Sequence, residues 1–420
     1  MVADVLGQRD FRLLWIGETT SRLASNVTQV ALPLVAVVTL HASTFTVGLL
    51  AAAGWLPWLL VGLPAGAWVD RLPRRPVLLA CDAVSAVAYV SVPVVAWLHL
   101  LTMAQLVAVA LVAGTAGVFF GTAYRVYLPG LLAPADLAAG NAVLQGSESA
   151  AQLAGRSLGG VLAQWLGAVT GLLADAVSFV VSAGCLLAIR MREPARSPRP
   201  PTRLRQEIGE GLRWVVGDRY LRALGAFAAV ANFGLTGYQA LQVLFGVRVL
   251  HAPPALVGVV VAASGVGGML GALVVSRLVR RVGTARGLVV LILVTWPFGM
   301  LIPLAFPGPG LVLLALGNAV LAAGAVATNV VAAGFRQTYP PERLRGRVMA
   351  TSTVIATVAD PIGAVVAGAV GTALGVRATV WIMIGVVLAA GVIVLAGPVR
   401  RGRDLPTAAR AAANTAGGGP

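Results

Sequence analysis

His41-Ala-Ser-Thr-Phe-Thr-Val47-Gly48 returns, 210 residues later, as His251-Ala-Pro-Pro-Ala-Leu-Val257-Gly258. Both copies open on His-Ala and reach Val-Gly six residues past the histidine. About thirty residues beyond each lies a basic turn between apolar runs. The first is Gly66-Ala-Trp-Val-Asp70-Arg71-Leu-Pro-Arg74-Arg75; the second is Ser276-Arg-Leu-Val-Arg280-Arg281-Val-Gly283. Two equal, mostly apolar halves are the signature of a duplicated membrane transporter. A duplicated bundle has a seam between its halves, and a seam can open to either side in turn.

Composition agrees with this reading. The 420 residues are 58% hydrophobic and 11% charged, whereas soluble domains carry roughly a quarter charged residues. All 31 basic residues are Arg, against 15 acids. Without lysine there is no P-loop to hold ATP phosphates and no Schiff base for a carbonyl cofactor, so no cofactor is expected. Cys81 and Cys185 stand alone in apolar runs and form neither a disulfide framework nor a metal site. His41, His99 and His251 lie far apart at expected outer helix ends, as interfacial polar residues. No cleavable leader is expected, since the first long apolar run begins near Phe11.

Twelve runs are long enough to span a bilayer. They lie near 12–38, 46–69, 76–99, 103–128, 139–165, 167–190, 221–247, 255–279, 286–306, 309–335, 347–373 and 377–397. Arginines cluster after the second, sixth, eighth, tenth and twelfth runs. Opposite loops hold only Arg248 and Arg377. Positive charge stays in the cytoplasm, so both termini are expected inside. Topology thus accounts for the net charge of +16, and no nucleic-acid partner is expected. The organisation predicted is an N-terminal six-helix bundle (1–190), a cytoplasmic linker (191–220), a C-terminal six-helix bundle (221–397) and a disordered cytoplasmic tail (398–420). Within the linker, Leu204 to Val216 reads as an amphipathic helix on the membrane surface, its apolar face made by Ile208, Leu212 and Val215.

Charged groups inside spans are costly and line an interior or a path. In the first span Glu18, Arg22, Ser25 and Gln29 recur at steps of four, three and four, on one face. In the fifth, Asn141, Gln145, Glu148, Gln152 and Arg156 do the same. A weaker stripe in the seventh has Asn232, Thr236 and Gln239; the eleventh offers Thr353, Thr357 and Asp360. Such stripes line a cavity or join helices by hydrogen bonds, and for the Glu18–Arg22 pair both roles stay open. Glu148 has no obvious helical partner and reads as a proton carrier, with Asp360 second. Arg156 would hold an anionic group or neutralise a carboxylate. Asp82 and Asp175 read as structural. Gly155, Gly159 and Gly160 would let a helix approach closely, and Trp55 and Trp58 would give an aromatic surface that lines a cavity for amphipathic molecules or, as is commoner, serves packing.

The turn after the second span resembles the signature Gly-x3-Asp-Arg-x-Gly-Arg-Arg of the major facilitator superfamily, through Gly66, Asp70, Arg71, Arg74 and Arg75, with Pro73 in place of the third-last Gly. The fifth span resembles an exporter motif ending Gly-Pro-x-x-Gly-Gly, here Gly155-Arg156-Ser-Leu-Gly159-Gly160. Phe11-Arg-Leu-Leu-Trp, Asp175-Ala-Val-Ser-Phe179 and Glu342-Arg-Leu-Arg-Gly346-Arg347-Val348 are similar to the bacterial branch of macrolide-efflux and siderophore-export proteins. The resemblance runs from about residue 9 to 397. It implies an all-α membrane protein of twelve helices in two pseudo-symmetric six-helix bundles, monomeric by default, in the bacterial inner membrane. It implies that Gly66 and Asp70 latch spans two and eleven in the outward-facing state. It also implies a secondary transporter and not an enzyme, exporting a small amphipathic compound in exchange for protons. A proton-coupled nutrient importer of the same fold is the alternative, and a non-transporting receptor or enzyme a more distant one.

Overall fold

The computed structural model describes residues 2–69, 71–191 and 204–406. Asp70, the linker segment 192–203 and the tail 407–420 lie outside the described residues. What is described is helical, in this order: α1 (Val2–Gly7), α2 (Arg9–Leu34), α3 (Thr44–Val69), α4 (Arg74–Trp97), α5 (Met103–Leu131), α6 (Leu137–Trp165), α7 (Ala168–Ala188), α8 (Leu204–Gly217), α9 (Arg219–Leu244), α10 (Pro254–Val282), α11 (Thr284–Thr295), α12 (Leu301–Leu304), α13 (Leu311–Thr338), α14 (Glu342–Leu374) and α15 (Val376–Ala396). Helices are what a bilayer dictates, because they satisfy every backbone group internally.

Among the described residues ten stretches are long and apolar enough to cross a membrane. The two other long helices, α6 and α9, carry polar side chains at several positions yet pack inside the same bundle. The expected ninth span, 286–306, corresponds to Thr284–Leu304, though it is not uniformly α-helical. A 3-10 turn, Trp296–Met300, separates α11 from α12, because Pro297 and Pro303 remove backbone donors.

Successive long helices run in opposite directions. One end of the bundle, the histidine end, carries His41, His99 and His251. The other, the arginine end, carries the first residues of α2, α4, α9 and α14 and the last of α10. In one half α2 packs on α6 and α7, and α3 and α4 on α5; in the other α9 packs on α14 and α15, and α10 on α13. The halves meet where α3 lies on α14 and α6 on α10.

The repeated sequence builds that seam. Both α2 and α9 finish in a five-residue π-turn, Val35–Thr39 and Phe245–Val249. The chain then reverses at a histidine with positive φ, 48° at His41 and 51° at His251. Ala42 N–H returns to Ala36 O, and Ala252 N–H to Gly246 O, each at 2.9 Å. These histidines are left-handed helix caps, a conformation that few residues other than glycine adopt and in which histidine is enriched. The glycines seven residues on then make the crossings. A Cβ on Gly48 would stand 2.7 Å from Gly368 Cα, and one on Gly258 would stand 2.7 Å from Gly160 Cα.

Two features depart from the sequence reading. The linker helix α8 docks on protein. Its Gly211 lies against the Arg347 backbone and Thr351 of α14, Glu210 pairs with Arg347, and the Trp214 ring meets Tyr339. Val215 is buried while Leu212 is exposed, so the expected apolar face is split between protein and surroundings. Residues 398–406, expected as the start of a disordered tail, are ordered. Val399 and Leu405 are buried, and Arg403 O accepts the N–H groups of Ala285 and Arg286 at the start of α11.

Candidate functional site

The polar stripes of α2 and α6 face one another. Arg22 Nε stands 2.6 Å from Glu18 Oε1 and 3.1 Å from Glu148 Oε2. One guanidinium therefore serves two carboxylates from two helices. Glu18 is held close inside, its side chain 9% exposed; Glu148 is 24% exposed and Arg22 45%. Glu148, expected to be without a partner, has a second one on its own helix: Gln152 Nε2 donates to its Oε1 at 3.1 Å. The cluster of three charges carries one net negative charge.

Nearer the histidine end, Arg156 Nη1 donates to Ser264 Oγ of α10 at 3.0 Å, and its Nη2 donates to Gln29 Oε1 at 3.2 Å. Arg156 thereby joins α2, α6 and α10 through neutral acceptors rather than through a carboxylate. Gly155 and Gly159 let α6 close on Leu23, Asn26 and Val27 of α2, while Gly160 meets Gly258 of α10. All three glycines are contact points, divided between two neighbouring helices.

Two further bonds join the halves at the histidine end. Arg248 Nη2 donates to Ala42 O at 2.7 Å, and Ala255 N–H donates to Gln164 Oε1 at 3.1 Å. Toward the arginine end the stripe opens. Asn141 and Gln145 are exposed where Glu148, Gln152 and Arg156 are half-buried. A Cβ on Gly66 would meet nothing within 4 Å. Of the other latch residues, Arg75 donates to Leu186 O and Leu187 O at the end of α7. Arg71 is exposed and Arg74 begins α4.

The remaining expected residues stand apart from this cluster. Asp360 is buried in the other half, its Oδ1 accepting from Thr236 Oγ1 at 2.8 Å. Asn232 donates weakly to Ala356 O at 3.4 Å, and Gln239 is exposed. Trp55 and Trp58 are 39% and 42% exposed. Trp55 shares the Gly48 and Ala52 face of α3, which turns toward the other half, while Trp58 lies over Gly121 of α5. Asp175 and Asp82 are fully buried, Asp175 Oδ1 accepting from Ser25 and Ser178. Among the described residues no group of three His, Cys, Asp or Glu side chains is placed to hold a metal ion.

Sequence reasoning missed one network. Tyr238 Oη and Gln242 Nε2 both donate to Asn318 Oδ1 at 3.0 Å, and Asn318 Nδ2 donates back to Leu314 O. All three side chains are buried. The available signal was Asn318 in the apolar first half of α13, together with Gln242 three residues past Gln239.

Comparison with known proteins identifies the family. Residues 4–415 match the family described as "Transmembrane secretion effector". The multidrug efflux pump Tap of Mycolicibacterium fortuitum is 30% identical over 409 residues, covering 94% of this chain and 97% of that protein. Tap of Mycobacterium tuberculosis (strain ATCC 25618 / H37Rv) is 30% identical over 373 residues, 85% of this chain and 86% of the relative. A solved structure of a bacterial homologue of the iron transporter ferroportin, in its inward-facing state, superposes with a TM-score of 0.76 at 18% identity, covering 92% of this chain and 98% of that one. Matched over nearly its whole length, with transporters and not enzymes as its relatives, the chain belongs to the MFS_3 family of transmembrane secretion effectors, multi-pass transporters of the major facilitator fold.

Proposed function

We propose that this transporter exports small amphipathic compounds and that protons entering the Glu18–Arg22–Glu148 cluster drive the cycle. The carrying observation is the shared guanidinium: Arg22 touches both carboxylates at once. A proton on Glu148 weakens its hold on Arg22 and leaves the guanidinium to Glu18. The contact between α2 and α6 therefore changes with protonation, at the level where the two stripes face the other half. Only the deprotonated Glu148 carboxylate offers a cationic part of a substrate its counter-charge, so substrate and proton compete for one group. That competition is what exchange requires. Asp360 with Thr236 is a second protonation site, on the opposite half.

The arginine bias favours a cytoplasmic location for the termini and the arginine end; with the halves joined at the histidine end, this reading makes the present state one open to the cytoplasm. The Tap relatives are named multidrug efflux pumps, which favours export over nutrient uptake. Dye and antibiotic retention in an efflux-deficient bacterium tests the reading, with and without a protonophore. Expression should lower retention, and the protonophore should abolish the effect. Glu148→Gln should leave the protein in the membrane and remove the dependence of flux on the pH gradient. Equal pH dependence in mutant and parent refutes the role of Glu148, and protonophore-insensitive flux refutes proton coupling.

A further inference from the structure

The C-terminal half gathers arginines at its arginine end in a way that topology alone does not require. Helix α10 ends with Arg277, Arg280 and Arg281. The chain turns at Gly283 (φ +92°) and places Arg286 in the first turn of α11. After α15 the chain comes back to the same spot. Asp404 Oδ1 accepts the N–H of Thr284 at 2.8 Å, and Arg403 O accepts those of Ala285 and Arg286 at 3.1 and 3.2 Å. This return sets Arg403 against the turn, where a Cβ on Gly283 would lie 2.7 Å from Arg403 Cγ. All five arginines are exposed, and none has an ion-pair partner among the described residues. Asp404, beside the turn, is occupied in capping α11.

The same helix face continues as hydrocarbon. Leu270, Leu273 and Val274 are 51%, 57% and 54% exposed, and steps of three and four carry that face on to Arg277, Arg280 and Arg281. Leu273 is nine residues, about two and a half turns, from Ser264. Ser264 meets Arg156 at the seam between the halves, so the Leu273 face points away from it, toward the bilayer. A cationic platform directly above exposed apolar side chains has the shape and polarity of one ligand class. We infer that this platform binds an anionic phospholipid, its phosphate among Arg280, Arg281, Arg286 and Arg403 and its acyl chains along Leu270, Leu273 and Val274.

Native mass spectrometry of the purified full chain tests this, after incubation with equal amounts of dioleoylphosphatidylglycerol and dioleoylphosphatidylcholine. The parent should retain phosphatidylglycerol in preference. The variant Arg280→Gln/Arg281→Gln/Arg286→Gln/Arg403→Gln should lose that preference by at least about tenfold, since each arginine near an anionic headgroup contributes a factor of about five. If the fourfold variant does not fold, Arg280→Gln/Arg281→Gln alone should still lower the preference. A charge-matched control, Arg12→Gln/Arg190→Gln/Arg213→Gln/Arg222→Gln, should keep it. No preference in the parent overturns the proposal, and so does an equal loss in the control, which would mean bulk charge. Displacement of the lipid by an equal amount of inorganic phosphate overturns it too, by making free phosphate the ligand. The test does not depend on the transport reading, because retention is measured without flux.

Discussion

Replacing Gly258 by Ala should open the histidine end. At present a Cβ there would lie 2.7 Å from Gly160 Cα, 2.8 Å from Arg156 O and 2.9 Å from Gly160 N. Carbon contacts settle near 3.5–4.0 Å, so α10 and α6 must part by about 1 Å or separate altogether. All three neighbours are helical backbone and cannot swing aside. Overpacking of this kind costs about 1–3 kcal/mol. A state in which the halves have parted at this end escapes that cost, so its population relative to the closed state rises about 5- to 150-fold. The helix itself is not weakened, since Ala exceeds Gly in helix propensity by about 1 kcal/mol. The assay is labelling of Gln29→Cys, in a Cys81→Ala/Cys185→Ala background, by a membrane-impermeant maleimide added to intact cells. Gln29 lies beneath the closed end, hydrogen-bonded to Arg156. Labelling should be slow in the parent and at least about fivefold faster with Gly258→Ala. Gly54→Ala, whose Cβ meets nothing within 4 Å, should leave the rate unchanged. A folded, monodisperse Gly258→Ala protein labelled at the parental rate refutes the argument that this crossing holds the end shut.

Three further outcomes follow from the contacts. Arg22→Met strands Glu18 in the interior and should lower the thermal midpoint, by less than the 3–5 kcal/mol typical of a fully buried pair because Arg22 is 45% exposed. Adding Glu18→Gln should recover most of that loss, and a pair of additive single effects in this cycle refutes their coupling. His41→Gly and His251→Gly relieve a left-handed cap and should each hold or raise stability by up to about 1 kcal/mol, whereas His41→Val should lower it by at least as much; thermal unfolding in detergent decides. Tyr339→Phe removes the 2.6 Å hydrogen bond to Asp218, whose other oxygen caps α9, and should cost about 1 kcal/mol, read as faster proteolysis at the α8–α9 junction.

The sequence reading identified which face of each helix is polar but not what that face meets. Spacing put Glu18 and Arg22 within reach because helical neighbours four residues apart always are. It could not show that Arg22 also serves Glu148, 126 positions away, since that depends on how α2 and α6 are rotated against one another. The repeat was legible because duplication preserved it. Its meaning was not, for a π-turn and a left-handed histidine are backbone conformations with no side-chain periodicity. The glycines were legible as permissive positions, yet only the packing divides Gly155 and Gly159 from Gly160. The linker helix was legible as amphipathic. Amphipathicity does not distinguish a lipid partner from a protein one, and here Val215 and Gly211 found α14 and its neighbours.

The charges on the facing stripes of α2 and α6 have an electrical consequence. Glu18 and Glu148 are balanced by Arg22 and Arg156, so with both carboxylates ionised the stripes sum to zero. Reorienting them across the membrane in that form moves no net charge through the field. One proton makes the same surface a monovalent cation, and the field then acts on it with up to about 2.3 kcal/mol per 100 mV, scaled by the depth traversed. A neutral substrate exchanged for one proton would thus be driven by voltage as well as by pH, whereas a monovalent cation exchanged for one proton would leave the voltage without a grip. Flux measured at a fixed pH gradient under imposed potassium diffusion potentials therefore reads the charge of the cargo before its chemical identity is known.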